Sequence, residues 1–172
     1  MSEFSRPVRV DTIGTEPREI AIVADASELA ALATRFDIAS LAALTARASV
    51  SRQGGEVRAK GTLDAELVQL CGATGADLPA RIEEPFDIVF RSELPADVPD
   101  AGLELSEGDC DVVFFDGSAV DLGEAVAETL ALAIDPYARA PGAEAVLAES
   151  GVISEEQARA PNSPFAGLAA LK

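Results

Sequence analysis

The stretch SVSRQGGEVRAK, residues 49–60, constrains the fold more than any other part of the chain. It places Gly54 and Gly55 between two segments that alternate polar and small apolar residues, a pattern typical of a β-hairpin with a two-residue turn. Glycine readily adopts the positive φ that such turns require. The predicted pairs are Gln53 with Glu56, Ser51 with Arg58, Ser49 with Lys60 and Arg47 with Thr62.

This register divides the hairpin into two faces, because directly opposed residues point to the same side. One face carries Arg47, Ser49, Ser51, Arg58 and Lys60, and the other carries Ala48, Val50, Val57, Ala59 and one arginine, Arg52. The apolar face is expected to join the core. The cationic face either contacts a polyanion or is the solvated side of a half-buried hairpin, and the residues alone leave both interpretations open.

The hairpin also marks a change in charge along the chain. Residues 1–60 carry eight Lys or Arg and eight Asp or Glu, whereas residues 61–172 carry five and 22. The whole net charge of -17 therefore lies after the hairpin. Such asymmetry indicates either an interaction surface or an acidic composition that favours solubility.

The length and composition predict one globular domain with an aliphatic core. The chain has 172 residues, 48% of them hydrophobic, with seven Phe, one Tyr and no Trp, which is too apolar for general disorder. No apolar run reaches the roughly 20 residues that a membrane-spanning helix needs. The start, MSEFSRPVRV, lacks the apolar region of a signal peptide. We therefore expect a cytoplasmic protein without a membrane partner.

The absence of histidine excludes several kinds of site. Ser-His and Cys-His nucleophile pairs, and zinc sites that use histidine, are ruled out. Cys71 and Cys110 lie 39 positions apart and are expected to be buried apolar residues. The chain also lacks a phosphate-binding loop, a nucleophile elbow and a dinucleotide fingerprint. We expect no cofactor, metal or small-molecule substrate, and an enzyme built on clustered carboxylates remains a minor alternative.

Patterns in the first part of the chain predict strands near residues 4–10 and 18–24. A helix then begins at Asp25, because Glu28 follows at capping-box spacing. A second short helical stretch is predicted from Ser40, where Leu41 and Leu44 recur at a helical interval.

The segments at 62–74 and 78–91 are interpreted as two further strands, and Glu84 interrupts the apolar alternation of the second. A strand through Phe115, a turn at residues 116–117 and a short return strand lead to a helix. This helix begins at Asp121, with Glu124 completing a capping box, and ends before Pro136.

Two segments are expected to lie outside the regular structure. Residues 92–111 contain seven acids and no base and are expected to be a surface insertion. Residues 137–172 form a Pro-rich tail, with a short helix near AEAVLAESG, that is expected to wrap the domain. The predicted fold is a single α+β domain: a mainly antiparallel sheet of about five to seven strands, open or partly closed into a barrel, flanked by a few helices.

Four patches together resemble the YceD family of bacterial and plastid proteins. They are FSRPVRVDTIG with LATRFDIASLAAL; the strand pair with Gly61, Ala65, Gln69, Cys71 and Thr74 leading into IEEPFDIVF; VDLGEAVAETLALAIDPYARAPGA; and SPFAGLAALK. In the third patch the matching residues are Asp121, Leu122, Gly123, Glu124, Glu128, Leu132, Asp135, Pro136 and Tyr137. Many relatives carry a C-x-x-C where this chain has Cys71 and Thr74, so no dithiol or zinc role carries over.

The resemblance implies a non-enzymatic factor in ribosome biogenesis that supports accumulation of 23S rRNA. Its partner would be large-subunit rRNA or a basic ribosomal protein. A direct RNA contact is expected at Arg47, Arg52, Arg58 and Lys60, since Lys and Arg supply most affinity for phosphate. The net charge of -17 instead favours a basic protein. The alternative function is an acidic protein-interaction adaptor with no ribosomal role.

Overall fold

Two long antiparallel strands, β3 (Ser40–Gln53) and β4 (Glu56–Leu70), form the centre of the structure. The structure is a computed structural model that describes residues 2–92, 112–115 and 118–153. The register confirms all four predicted pairs: Gln53 with Glu56, Ser51 with Arg58, Ser49 with Lys60 and Arg47 with Thr62. Of the two turn glycines, Gly54 has a φ of 61° and Gly55 is not in the positive-φ region. A positive φ at the first central residue is a feature of the primed turns that connect two-residue hairpins.

The other described strands and helices are arranged around this pair. They are β1 (Pro7–Arg9), a 3-10 turn (Val10–Thr12), β2 (Arg18–Val23), α1 (Ala26–Arg35), β5 (Asp77–Ser92), β6 (Val112–Phe115), β7 (Ala119–Asp121), α2 (Leu122–Ala133) and α3 (Ala143–Glu149). One sheet has the order β2-β3-β4-β5-β6, and β1 pairs with β7 in a second, two-stranded sheet. The β5–β6 pair is parallel, whereas β2–β3, β3–β4 and β1–β7 are antiparallel.

The predicted α+β class is confirmed, and the five-stranded sheet is open rather than closed into a barrel. The chain groups into two compact units. The first comprises Met1–Gln69 with Pro79–Pro136, and the second comprises Leu70–Leu78 with Tyr137–Lys172.

In the first unit, the inner face of the sheet packs against α1 and α2. Residues alternate between buried and exposed along β3, β4 and the second half of β5, as expected when one face of a sheet is covered. A single hydrophobic cluster joins Val50 and Val57 of the hairpin to Leu32 of α1 and Leu130 of α2. The other face of these strands, called here the outer face, carries the polar side chains.

The helix predicted from Ser40 is wrong, because Ser40 begins strand β3. The register with β4 shifts between Leu41 and Ala43, which is a β-bulge. An extra residue at the bulge lets Leu41 and Leu44, three positions apart, both become buried on the inner face. The three-residue interval between these buried leucines is therefore the same in this bulged strand as in an amphipathic helix.

The separate strand predicted at residues 62–74 is also wrong. Strand β4 runs without a break from Glu56 to Leu70, so this segment continues the second arm of the hairpin. Strand β5 is present close to its predicted bounds, with Glu84 half-buried on the inner row.

Both predicted helix starts are confirmed. Asp25 accepts from the backbone of Ser27 and Glu28, and the Glu28 carboxylate accepts from the Asp25 N–H, which completes the capping box. At α2, the Asp121 carboxylate accepts from the Glu124 N–H at 3.1 Å, but the predicted capping box is only half formed, because the Glu124 carboxylate binds Arg35 and Ser2 instead.

The second unit contains the predicted short helix α3. The turn at residues 116–117, Cys110, the closing SPFAGLAALK and all of the acidic insertion except Ser92 lie outside the described residues.

Candidate functional site on the outer sheet face

The hairpin register brings three of the four predicted RNA-binding side chains to one face. Arg47 lies on β3, Arg58 and Lys60 lie on β4, and all three are exposed. The buried neighbours Ala48, Val50, Val57 and Ala59 alternate with them along the strands. The alternation in the sequence is therefore sufficient to set which cations face solvent.

Asp87 on β5 pairs with two of these cations. Arg58 donates to both of its carboxylate oxygens, from Nε at 2.6 Å and from Nη2 at 2.7 Å. Lys60 Nζ lies 3.7 Å from the same carboxylate. The hydrogen bond from Arg58 lowers the pKa of Asp87 below its ordinary value. The positive charge of the hairpin is thus partly neutralised by the next strand.

Two further ion pairs connect β4 and β5. Arg91 Nε donates to Glu56 Oε1 at 2.7 Å, and Arg81 pairs with Asp64. These contacts are exposed ion pairs, which contribute little to folding stability. Their effect is to leave few unpaired cations on the outer face.

Arg47 differs from Arg58 and Lys60, because it forms no ion pair with any residue in the described part of the chain. It borders a shallow cavity of about 270 Å³ on the sheet. The polar residues that line this cavity are Thr45, Arg47, Thr62, Asp64 and Glu83. A small cationic or hydrogen-bonding group of a partner could enter here.

An acidic end adjoins this cavity. Asp64, Glu66 and Glu83 lie around Arg81 and together raise the pKa of its guanidinium, with the hydrogen bond to Asp64 as the largest cause. Glu66 and Glu83 are exposed. We call Asp64, Glu66 and Glu83 the acidic end of the outer face. Three carboxylates beside two arginines, Arg81 and the cavity-lining Arg47, leave a local excess of one negative charge.

Arg52 lies apart from the other three predicted RNA-binding residues. Its side chain is half-buried on the inner row, where Nη1 donates to the Val10 carbonyl at 3.5 Å. Its backbone N–H donates to the Gly14 carbonyl at 2.8 Å. Arg52 therefore ties the hairpin to the N-terminal segment.

The residues of the YceD-like motif at the start of α2 hold the N-terminal segment in place. The Asp121 carboxylate accepts from the Arg6 N–H at 2.8 Å and from the Ser5 hydroxyl. A Cβ on Gly123 would lie 2.2 Å from the Phe4 carbonyl oxygen, so only glycine permits this approach. Phe4 itself is fully buried.

Glu124 connects the start of α2 to both α1 and the N-terminal segment. Arg35 donates from Nη2 to Glu124 Oε1 at 2.7 Å, and Ser2 donates to the same carboxylate. The hydrogen bond from Arg35 is the largest cause of the lowered pKa of Glu124. The sequence predicted a cap from these residues, but nothing in the local spacing indicated that they bind the N-terminal segment.

The remaining motif residues differ in exposure. Leu122 is buried in the core, whereas Glu128, Leu132, Asp135, Pro136 and Tyr137 are exposed. In the second unit, Cys71 is 2% exposed and accepts from the Ala140 N–H at 3.2 Å. This bond, with those from Thr74 and Ala73, lowers the pKa of the Cys71 thiol to about 7. The burial predicted for Cys71 is confirmed.

The family model for the large ribosomal RNA subunit accumulation protein YceD matches residues 59–172. The chain belongs to the YceD family. The match includes β4 from Ala59 onward, β5 and the whole DLGE segment that binds residues 2–6. Comparison with curated proteins and with solved structures gave no match.

Membership of the YceD family connects the chain with accumulation of the large ribosomal RNA subunit, and the family is not described by an enzymatic activity. Among residues 2–92, 112–115 and 118–153, no cluster of acidic or cysteine side chains is placed to hold a metal ion. Within the same residues, no helix has the length and apolar character needed to cross a membrane.

Proposed function

We propose that this YceD protein supports accumulation of large-subunit rRNA as a non-enzymatic binding factor that holds a basic ribosomal protein. The observation that carries this choice of partner is the pairing of Asp87 with both Arg58 and Lys60. Two of the cations best placed to meet phosphate are already bound to a carboxylate. Arg52 lies on the inner row. Of the four predicted RNA-binding residues, Arg47 is therefore the one that is exposed and has no ion pair with a described residue.

The total charge supports the same choice. A net charge of -17 repels RNA at long range, since affinity for nucleic acid depends largely on neutralising phosphates. It attracts a basic protein, and complementary charge mainly raises the rate and selectivity of such association.

The acidic end is the proposed contact surface. Asp64 and Glu83 border the cavity beside Thr45, Thr62 and Arg47, and Glu66 is exposed on the same face. Carboxylates beside hydroxyl groups suit the guanidinium of an arginine, which can donate several hydrogen bonds at once. An arginine or lysine of the basic partner would occupy this cavity.

Direct contact with rRNA is the second candidate mechanism. The side chains of Arg58 and Lys60 are 62% and 74% exposed, and exposed ion pairs are weak enough to exchange partners. A phosphate group could therefore replace Asp87 beside Arg58, with Arg47 as a further contact.

Two matched triple variants distinguish the mechanisms. One is Asp64→Asn, Glu66→Gln and Glu83→Gln, and the other is Arg47→Gln, Arg58→Gln and Lys60→Gln. The tagged full chain is purified from cells after nuclease treatment, and the associated basic ribosomal proteins are quantified by mass spectrometry.

We expect the acidic triple variant to lose these proteins and the hairpin triple variant to retain them. Absence of basic ribosomal proteins from the nuclease-treated wild type, with salt-sensitive binding of rRNA fragments that the hairpin triple variant loses, would establish direct RNA contact instead. Association with basic proteins that are not ribosomal would support an adaptor without a ribosomal role.

A further inference from the structure

A second surface of the first unit lies between strands β1 and β2, away from the outer face. A groove of about 360 Å³ separates the two strands. Its apolar lining consists of Pro7 and Val8 from β1 and Ile20 and Ile22 from β2. Ile20 and Val8 are half-buried, so aliphatic surface is open to solvent at this position.

Three arginines border the same groove: Arg6, Arg9 and Arg18. Among the described residues, no carboxylate lines the groove. Arg6 is bound to Glu28 and Arg9 to Asp11, while Arg18 forms no ion pair with another described residue. In a chain of net charge -17, Arg18 is therefore the one arginine of this groove without an ion-pair partner among the described residues.

Strand β2 presents an unpaired edge to this groove. It is an end strand of the five-stranded sheet, and Ala24 N–H donates to the Leu44 carbonyl on β3 at 3.0 Å. In an antiparallel ladder, alternate residues bond to the neighbouring strand. The even residues of β2 therefore bond to β3, and the backbone groups of Glu19, Ala21 and Val23 point away from it.

The side chain of Arg6 confirms this direction. Its Nη2 donates to the Val23 carbonyl at 3.0 Å, which shows that an odd-numbered carbonyl of β2 accepts a hydrogen bond from the groove side. Glu19 and Ala21 offer the same kind of backbone groups further along the strand. In the part of the chain that the structure describes, no strand pairs with this edge.

We propose that this groove binds an extended acidic peptide of a partner protein, which adds to β2 as a further strand. Backbone hydrogen bonds to Glu19 and Ala21 would hold the peptide, as in other cases of strand addition to a sheet edge. Alternate aliphatic side chains would lie on Val8, Ile20 and Ile22, and a flanking carboxylate would meet Arg18. RNA fits less well, because the lining has no aromatic side chain on which a base could stack.

The test uses a short fluorescein-labelled synthetic peptide that alternates Leu or Val with Glu or Asp. Its binding to the full chain is followed by fluorescence anisotropy. Arg18→Glu reverses the charge of the exposed arginine. Ala21→Pro removes an N–H from the open edge while leaving the bonds to β3, because proline is tolerated where the N–H faces outward. Arg139→Glu is the matched control, because Arg139 is an exposed arginine outside the groove.

We expect saturable binding that weakens about tenfold or more with Arg18→Glu, a loss of about 1.4 kcal/mol, and that is unchanged by Arg139→Glu. A peptide with Lys in place of its acids should not bind. Circular dichroism of each variant verifies folding, and Arg18→Glu keeps the test valid if Ala21→Pro does not fold. Equal affinity of the wild-type chain and Arg18→Glu would overturn the proposal. The proposal would also be overturned if the chain bound an rRNA fragment but not the peptide, and if Arg18→Glu abolished that RNA binding.

Discussion

Gly123, in the first turn of α2, lies directly against the Phe4 carbonyl, so that a Cβ at residue 123 would come within 2.2 Å of that oxygen. This contact joins the N-terminal segment to the segment DLGE of the YceD family. Asp121 and Glu124, on either side, bind the backbone of Arg6 and the side chain of Arg35. The motif thus has a structural role in the first unit.

Gly123→Ala is expected to lower the free energy of unfolding by about 1–3 kcal/mol, because the added methyl group overpacks a buried contact. In an ordinary helix interior the same change is stabilising by about 1 kcal/mol. A loss of stability would therefore indicate the close contact with Phe4 rather than helix propensity. Urea unfolding followed by circular dichroism measures the difference.

Gly55→Ala is the control for this variant, since a Cβ at Gly55 meets no atom within 4 Å. It is expected to change stability much less. If Gly123→Ala were as stable as the wild type, the N-terminal segment would not be held as described.

The Cys71 thiol is expected to titrate with a pKa of about 7. The folded state lowers this pKa from 9.0, so the unfolded chain binds more protons between these values and stability rises as pH increases. The contribution is complete above the unfolded pKa and is lost as pH falls through 7. Thiolate absorbance in a Cys110→Ser background gives the pKa directly.

Cys71→Ser provides the matching measurement of stability. Compared with the wild type in urea at pH 6 and pH 9, this variant should lack the rise attributed to the thiolate. An identical pH dependence in both proteins would show that the hydrogen bonds from Ala140 and Thr74 do not stabilise the thiolate.

The pKa of the Asp87 carboxyl is expected to lie below its ordinary value because Arg58 donates two hydrogen bonds to it. Arg58→Gln should raise this pKa, as measured by NMR titration of the side-chain carboxyl. Arg91→Gln is the control, because Arg91 pairs with Glu56 instead. An unshifted pKa in Arg58→Gln would mean that the hairpin cations are free to bind phosphate.

The hairpin was predictable because its information is local. Two glycines fixed the turn, and strict alternation then placed Arg47, Arg58 and Lys60 on one face. The bulge at Leu41 was not predictable from spacing, because an extra residue in a strand gives the same apolar interval as a helix.

The charge balance of the outer face could not be predicted, because its partners are distant in sequence. Arg58 and Asp87 are 29 residues apart, and their contact depends on how β5 pairs with β4. The open edge of β2 depends in the same way on strand order. Local periodicity reports which face a residue occupies but not which strand lies beside it.

The central claim is tested most directly by the ratio of large-subunit to small-subunit rRNA in cells depleted of this protein. We expect depletion to lower the ratio, and the wild type and the Arg47, Arg58, Lys60 triple variant to restore it. The Asp64, Glu66, Glu83 triple variant should fail to restore it. An unchanged ratio after depletion would contradict the role in rRNA accumulation, and rescue by the acidic triple variant but not the hairpin variant would contradict the proposed mechanism.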